Sequence, residues 1–253
     1  MVIHDFRLLG WTGYQLFLAL GTAVTLAVYL HAGRRSGLTE LGLVLQCLGV
    51  VLFALGGARL LHLVQHAAAP SAGSASFGAL LGGALAFELL RRHFRMDAGR
   101  AYDCAAIAIP FHVILGRIGC FFGGCCFGTP SQVPWAVRYP ASGSSGTSPA
   151  YAAHRAAGQV AAADPVSLPV HPVQLYLAGL AAATLLLVLW LARRRLGTGK
   201  LMLVFLFAHC AGRFALEFLR GDEPAILGPL HWEHFYGLAG MLVVGMLALR
   251  RKA

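Results

Sequence analysis

Residues 103–122 read DCAAIAIPFHVILGRIGCFF, and this run decides the fold class. Its only formal charges are Asp103 at the start and Arg117 near the end. About 20 predominantly apolar residues are what a helix needs to cross a ~30 Å hydrocarbon core. Working outward, residues 12–31, 40–64, 77–90, 173–192, 201–219 and 234–249 approach the same pattern. Segments 77–90 and 234–249 are short, so the reading is about seven spans, with six as the alternative. The whole chain agrees with it: of 253 residues, 58% are hydrophobic and only 12% charged. A soluble domain carries about 25% charged residues, and a chain this apolar is not disordered. Lipid admits only helices and closed barrels, because every backbone polar group must be satisfied internally. Long unbroken apolar runs lack the alternation of a barrel. The expectation is all-α: a polytopic transmembrane helical bundle with residues 1–253 as a single membrane domain.

Charge orients the bundle. The net charge is +10, which in a soluble protein would suggest nucleic acid. Here the basic residues cluster at alternate ends of the spans: Arg34, Arg35, Arg91, Arg92, Arg95, Arg100, Arg193, Arg194, Arg195, Lys200, Arg250, Arg251 and Lys252. Loops rich in Lys and Arg stay cytoplasmic. The N-terminus, the Ala67–Ser76 loop and the 123–172 segment therefore face outward, and the C-terminus is inside. No basic patch interleaved with aromatics appears, so nucleic acid is not expected as a partner. Met1–Leu9 has no basic cluster before a short apolar stretch, so no cleavable signal peptide is expected. Ser142–Pro169, rich in Ala, Ser, Gly and Pro, reads as a partly ordered outward loop.

Arg59, Arg117 and Arg213 fall inside or at the ends of spans. A charge at the centre of a membrane helix costs at least ~2.5–3.5 kcal/mol. Such an arginine needs a partner, either an internal carboxylate (Glu217 is one turn from Arg213) or an anionic substrate. A guanidinium presents a planar fork of donors that matches phosphate. Arg117 also opens the sharpest local feature, residues 116–128, GRIGCFFGGCCFG. Here an apolar helix runs into a glycine-rich turn, and exposed N–H groups in such a turn can form an anion-binding nest.

Cys120, Cys125 and Cys126 lie in that turn, where they can form a disulfide, bind metal or act as nucleophiles. Outward-facing thiols in bacteria meet an oxidising compartment. A bridge from Cys120 to one of the adjacent pair is the leading expectation. A structural zinc site normally has four ligands, and the C-x₄-C-C triplet fits that poorly, so no metal and no cofactor are expected. Cys47, Cys104 and Cys210 read as buried small apolar residues. Two further constellations carry polar groups. His171-Pro172-Val173-Gln174-Leu175-Tyr176 opens the fifth span, with proline suited to a first helical turn and His171 able to exchange protons near neutral pH. His209, Arg213 and Glu217 recur at i, i+4 and i+8 on one face of the sixth.

Together these residues resemble the bacterial prolipoprotein diacylglyceryl transferases. Gly116–Gly128 is similar to that family's signature, Gly-Arg-x-Gly-Asn-Phe-aliphatic-Asn-x-Glu-x-x-Gly. Gly57-Ala58-Arg59-Leu60 resembles its second-span motif, and Asp103 stands fourteen residues before Arg117 as in the family. Pro134-Trp135-Ala136 follows the signature, His171–Tyr176 is similar to its His-Pro-Ser-Gln-Leu-Tyr, and Arg213–Arg220 to its Arg-x-x-x-Glu-Phe-x-Arg. There are departures. Cys120, Gly123 and Cys125 stand where the signature has Asn, Asn and Glu. Ser76-Phe77-Gly78-Ala79 lacks the third-span histidine, His209 replaces a tyrosine, and Leu177 replaces a glutamate.

The resemblance implies transfer of a diacylglyceryl group from phosphatidylglycerol to a thiol, the cysteine of a lipoprotein precursor or a related acceptor. A thiolate attacks the glyceryl carbon and glycerol phosphate leaves. Arg117 and Arg213 would clamp the phosphate, and Gly128 would keep the turn close to the headgroup. Arg59, Gly119, Gln174, Tyr176, Glu217 and Arg220 would complete the lipid site. His171 and His209 are candidate bases, with Tyr14 nearby, and Cys120, Cys125 and Cys126 are candidate participants. The expected setting is the bacterial cytoplasmic (inner) membrane, with the site on its outer side and the chain acting as a monomer. The alternative is a non-transferase membrane protein, redox-active or lipid-binding, built on the same scaffold.

Overall fold

The computed structural model describes residues 1–66, 73–143, 146–194, 196, 198–223 and 226–250. Residues 67–72 of the expected outward loop, together with Arg195, Arg251 and Lys252, lie outside the described residues, as do the side chains of Ser76 and Arg250. The chain is an all-α membrane protein. Its helices are α1 (Gly13–Arg35), α2 (Glu40–His66), α3 (Gly73–His93), α4 (Ala98–Gly123), α5 (Pro149–Ala156), α6 (Val173–Arg193), α7 (Lys200–Glu217) and α8 (Trp232–Arg250). Seven of them coincide with the seven expected apolar runs. Five (α1, α2, α4, α6 and α8) are long and apolar enough to cross a membrane by length and composition. Their exposed faces carry large apolar side chains, among them Leu52, Leu186 and Leu249 at 66%, 68% and 69% exposure. Water is a poor solvent for that surface, and lipid a good one.

The chain divides into two compact units. The unit holding Leu26–Ala105 and Gly197–Lys200 is built on α2 and α3. These helices cross so closely that a Cβ on Gly57 would collide with the Gly78 carbonyl, and one on Gly82 with the Phe53 carbonyl. Membrane helices, which gain nothing from water exclusion, pack through such small-residue contacts. A buried hydrogen bond from Tyr29 Oη to Gln46 Oε1 (2.5 Å) and one from Gln46 Nε2 to the Phe87 carbonyl (2.7 Å) add to it.

The other unit comprises Met1–Thr25, Ala106–Leu196 and Leu201–Ala253. It begins with a hairpin of β1 (Arg7–Leu8) and β2 (Trp11–Thr12), turned at Leu9 and Gly10 with φ of 52° and 84°. Two successive left-handed residues make the type I′ turn that matches strand twist. Between α4 and α6 the described residues of the 123–172 segment are more ordered than their composition suggests. Val137 and Val170 exchange backbone hydrogen bonds (3.0 and 2.9 Å). Ser148 caps α5, accepting from the Tyr151 N–H, with Pro149 in the first turn. Ile3, Phe121, Phe127, Val137, Tyr139, Ala150 and Val170 form one buried apolar cluster beneath it. This cluster anchors the end of α4, where the chemistry-bearing residues begin.

Candidate active site

Helix α4 stops at Gly123 because Gly124 turns into the left-handed region at φ +69°. Cys126 follows at φ +56°. For a residue with a Cβ that conformation costs about 1–2 kcal/mol, so the turn must be held from outside. It is. Gly128 N–H donates to the His171 carbonyl (3.0 Å), Thr129 N–H to Leu219 (2.8 Å), and Gly221 N–H to Phe127 (3.0 Å). Buried Gln174 donates through Nε2 to the Cys125 carbonyl (2.8 Å) and the Tyr139 hydroxyl (3.1 Å). A Cβ on Gly128 would stand 2.6 Å from the His171 carbonyl oxygen and 2.7 Å from Val173 Cγ2. The starts of α6 and the end of α7 thus clasp the turn.

That clasp gathers the sulfurs of Cys120, Cys125 and Cys126 within 4.8 Å of one another. All three are free thiols, as are Cys47, Cys104 and Cys210. The expected bridge from Cys120 is therefore not formed. A disulfide requires sulfurs about 2 Å apart, whereas here the turn holds three in one cluster and aims the Cys125 thiol at the Cys120 carbonyl (3.9 Å). Hydrogen bonds from the Cys120 and Cys125 thiols push the Cys126 thiol well below its ordinary range, and the Arg117 and Arg220 charges act the same way. Cys125 is pushed up, first by its hydrogen bond with Cys120 and then by that with Cys126 and by burial. The cluster thus favours one thiolate, at Cys126.

Two guanidiniums, Arg117 and Arg220, stand in Coulombic reach of Cys126, and both bear on a third, Arg213. Their partners differ. Arg213 meets Glu217 Oε2 at 3.2 Å, and Glu217 is 1% exposed. Arg220 meets Glu217 Oε1 at 3.8 Å and Asp222 Oδ1 at 2.6 Å, with Glu223 at 3.4 Å. Burial works against the Arg220 charge, but the Asp222 hydrogen bond together with the charges of Asp222, Cys126 and Glu217 outweighs it and leaves its pKa above the usual arginine value. The internal pairing read from the spacing of Arg213 and Glu217 is real. Half-buried Arg117, in contrast, makes no ion pair among the described residues.

His171 Nδ1 lies 3.2 Å from the Tyr176 hydroxyl, which also accepts from Trp135 Nε1 (2.6 Å). His209 stacks on Phe205, and its Nδ1 is buried with no hydrogen-bond partner among the described residues. Tyr14 lies beside the end of α4, where a Cβ on Gly119 would sit 3.1 Å from the Tyr14 carbonyl. Arg59 is exposed on α2, in the other unit. Sequence reasoning missed Tyr139, 1% exposed, whose burial holds its pKa above the usual tyrosine value. It also missed His231, whose Nδ1 is 3.6 Å from Glu217. No local pattern marks Tyr139. The spacing of His231 and His234 was visible but tied to nothing. A cavity of about 30 Å³ beside Gly123 and Tyr139 has room for about one water, not a headgroup.

The sequence model of the prolipoprotein diacylglyceryl transferases matches residues 4–250. The chain belongs to that family. Similar relatives include the phosphatidylglycerol–prolipoprotein diacylglyceryl transferases of Bordetella avium (31% identical over 214 residues, 81% of this chain and 72% of the relative) and of Clostridium tetani (26% over 167 residues, 66% and 59%). A second such enzyme of Clostridium perfringens is 24% identical over 245 residues, 92% of this chain and 88% of its own length. The match thus spans 59% of the length of one relative and most of the other two. Within this diacylglyceryl transferase family, the chain carries a thiol cluster at the signature turn and keeps Arg117 in front of it.

Proposed function

We propose that this chain transfers the diacylglyceryl group of phosphatidylglycerol to a thiol, the cysteine of a lipoprotein precursor or a closely related acceptor. The observation that carries the reading is Arg117, a guanidinium in α4 with no carboxylate partner among the described residues, ahead of the turn whose sequence resembles the family signature. A phosphodiester supplies the charge it lacks. Arg213 and Arg220, already tied to Glu217, orient that headgroup from α7 and add positive potential as the phosphate departs. Preorganised charge of this kind stabilises a leaving anion without reorganisation at the moment of reaction.

In the reaction the acceptor thiol loses its proton and its sulfur bonds to the glyceryl carbon. The carbon–oxygen bond breaks, and the electron pair leaves on the phosphate of glycerol phosphate. Of the two histidines, His209 is assigned that proton. Among the described residues its Nδ1 is buried without a hydrogen-bond partner one turn before Arg213, whereas His171 is held by Tyr176. The named relatives act on phosphatidylglycerol and prolipoprotein, which supports the same pair of substrates here. On this reading the chain sits in the bacterial cytoplasmic membrane as a monomer, with the site on the outer side and the C-terminus inside. Gly119, Gly128, Gln174 and Tyr176 shape the lipid site, and Tyr14 contributes from α1.

Purified protein in lipid nanodiscs, given labelled phosphatidylglycerol and a lipobox peptide, provides the test. Thioether-linked diacylglyceryl on the peptide is expected, with Arg117→Ala slower by about 100- to 1000-fold. Absence of transfer by the wild-type protein, or full activity in Arg117→Ala, would overturn the reading.

A further inference from the structure

We propose that Cys120, Cys125 and Cys126 are the three protein ligands of a thiophilic metal cation, zinc(II) or copper(I). Their sulfurs all lie within 4.8 Å of one another, and all are thiols. A cation about 2.3 Å from each of three sulfurs holds those sulfurs about 4 Å apart, so the cluster needs only a small contraction. Thiolate ligands select soft and borderline cations over magnesium or calcium.

The surroundings match in geometry and charge. Cys120 comes from the last turn of α4, and Cys125 and Cys126 from the turn after it, where the positive φ of Gly124 and of Cys126 reverses the chain onto its own helix end. Gln174, through its hydrogen bond to the Cys125 carbonyl, fixes the backbone that carries two of the three sulfurs. Three thiolates around a divalent cation leave one negative charge, and around a monovalent one they leave two. Arg117 and Arg220 stand in Coulombic reach of Cys126 and offset that surplus. The sequence offered no fourth ligand beside the triplet, which is why it was read as holding no metal. Among the described residues the group still has three members. Three protein ligands with a fourth position left open is the arrangement of reactive thiophilic sites, whereas structural sites are closed by four.

Resting on the proposed function, the open position fits the acceptor thiol. Bound there as a thiolate, the acceptor would release its proton to the base before its sulfur attacks the glyceryl carbon. The carbon–oxygen bond then breaks, the electron pair departs with the phosphate, and the cation changes neither charge nor oxidation state.

The test is metal content, measured by inductively coupled plasma mass spectrometry on protein purified without a histidine tag under reducing, oxygen-free conditions. About one zinc or one copper per chain is expected, and which of the two is found identifies the resident cation. Cys120→Ser and Cys125→Ser should each lower the content at least tenfold, while Cys210→Ser retains it. Because a turn variant can misfold, the wild-type protein is also stripped and titrated with cobalt(II). A thiolate-to-cobalt charge-transfer band should appear, and should be lost in Cys120→Ser, whose substitution lies within a helix. Protein that neither contains metal nor develops the band, or that is isolated with two of the three thiols bridged and metal-free, would overturn the site. Metal-loaded protein that transfers no lipid would overturn the transferase reading while supporting the site. Transfer undiminished in fully metal-free protein would overturn the cation's part in activating the acceptor.

Discussion

Cys126 concentrates the local physics of this protein. Its backbone adopts a conformation that most side chains avoid, and its sulfur lies within 4.8 Å of two neighbouring thiol sulfurs. Both Arg117 and Arg220 favour its charged form. An ordinary cysteine, with a pKa of about 8.5, loses thiolate tenfold for each unit of pH below that value. A thiol whose folded pKa is depressed keeps its thiolate as the pH falls through the ordinary value and yields it only further down. In reduced, metal-stripped protein, the alkylation rate of Cys126 by iodoacetamide should therefore fall less steeply between about pH 9 and pH 6 than that of an ordinary cysteine. Cys125, pushed the other way, should remain almost unreactive throughout. Peptide-level mass spectrometry of pulse-alkylated protein measures both. A Cys126 rate that fell tenfold per pH unit over this range would contradict the assigned charge state.

At the scale of elements, the signature turn is held by parts distant in sequence: the entry to α6 through the His171 carbonyl, α6 itself through Gln174, and the stretch just after α7 through Leu219 and Gly221. Gly128 is where this contact is tightest. A methyl group there meets the His171 carbonyl oxygen and Cβ and the Val173 side chain, and a carbonyl fixed in a hydrogen bond cannot give way. Gly128→Ala should cost about 1–3 kcal/mol. It should lower the melting temperature in detergent and reduce transfer by more than the loss of folded protein explains, because the thiols and Arg117 shift with the turn. Unchanged melting and activity would mean the clasp does not position the site. Much of this scale was legible in sequence. The apolar runs marked seven helices, and i, i+4 spacing paired Arg213 with Glu217. The sulfur cluster was not legible, because its closeness depends on two left-handed residues and on hydrogen bonds from α6 and α7. Spacing suggested a Cys120 bridge, and only the folded turn reveals three sulfurs sharing one space. Tyr139 escaped for the same reason, since its partner Gln174 lies 35 residues away.

For the molecule as a whole, composition spoke most plainly, because a chain with so few charges must answer to lipid as its solvent. The membrane helical class and the diacylglyceryl transferase family both follow from features visible along the whole sequence. The sequence hid the division of labour among the arginines. Arg213 and Arg220 share buried Glu217, and Arg220 is held further by Asp222 and Glu223. Arg117 alone of the three makes no ion pair among the described residues, and the account assigns it the phospholipid. Native mass spectrometry of protein released from vesicles of phosphatidylglycerol and phosphatidylethanolamine tests that assignment most directly. The wild-type protein should retain one phosphatidylglycerol in preference to phosphatidylethanolamine, and Arg117→Gln should lose that preference while keeping its fold. Equal retention of phosphatidylglycerol by the two proteins would contradict the account.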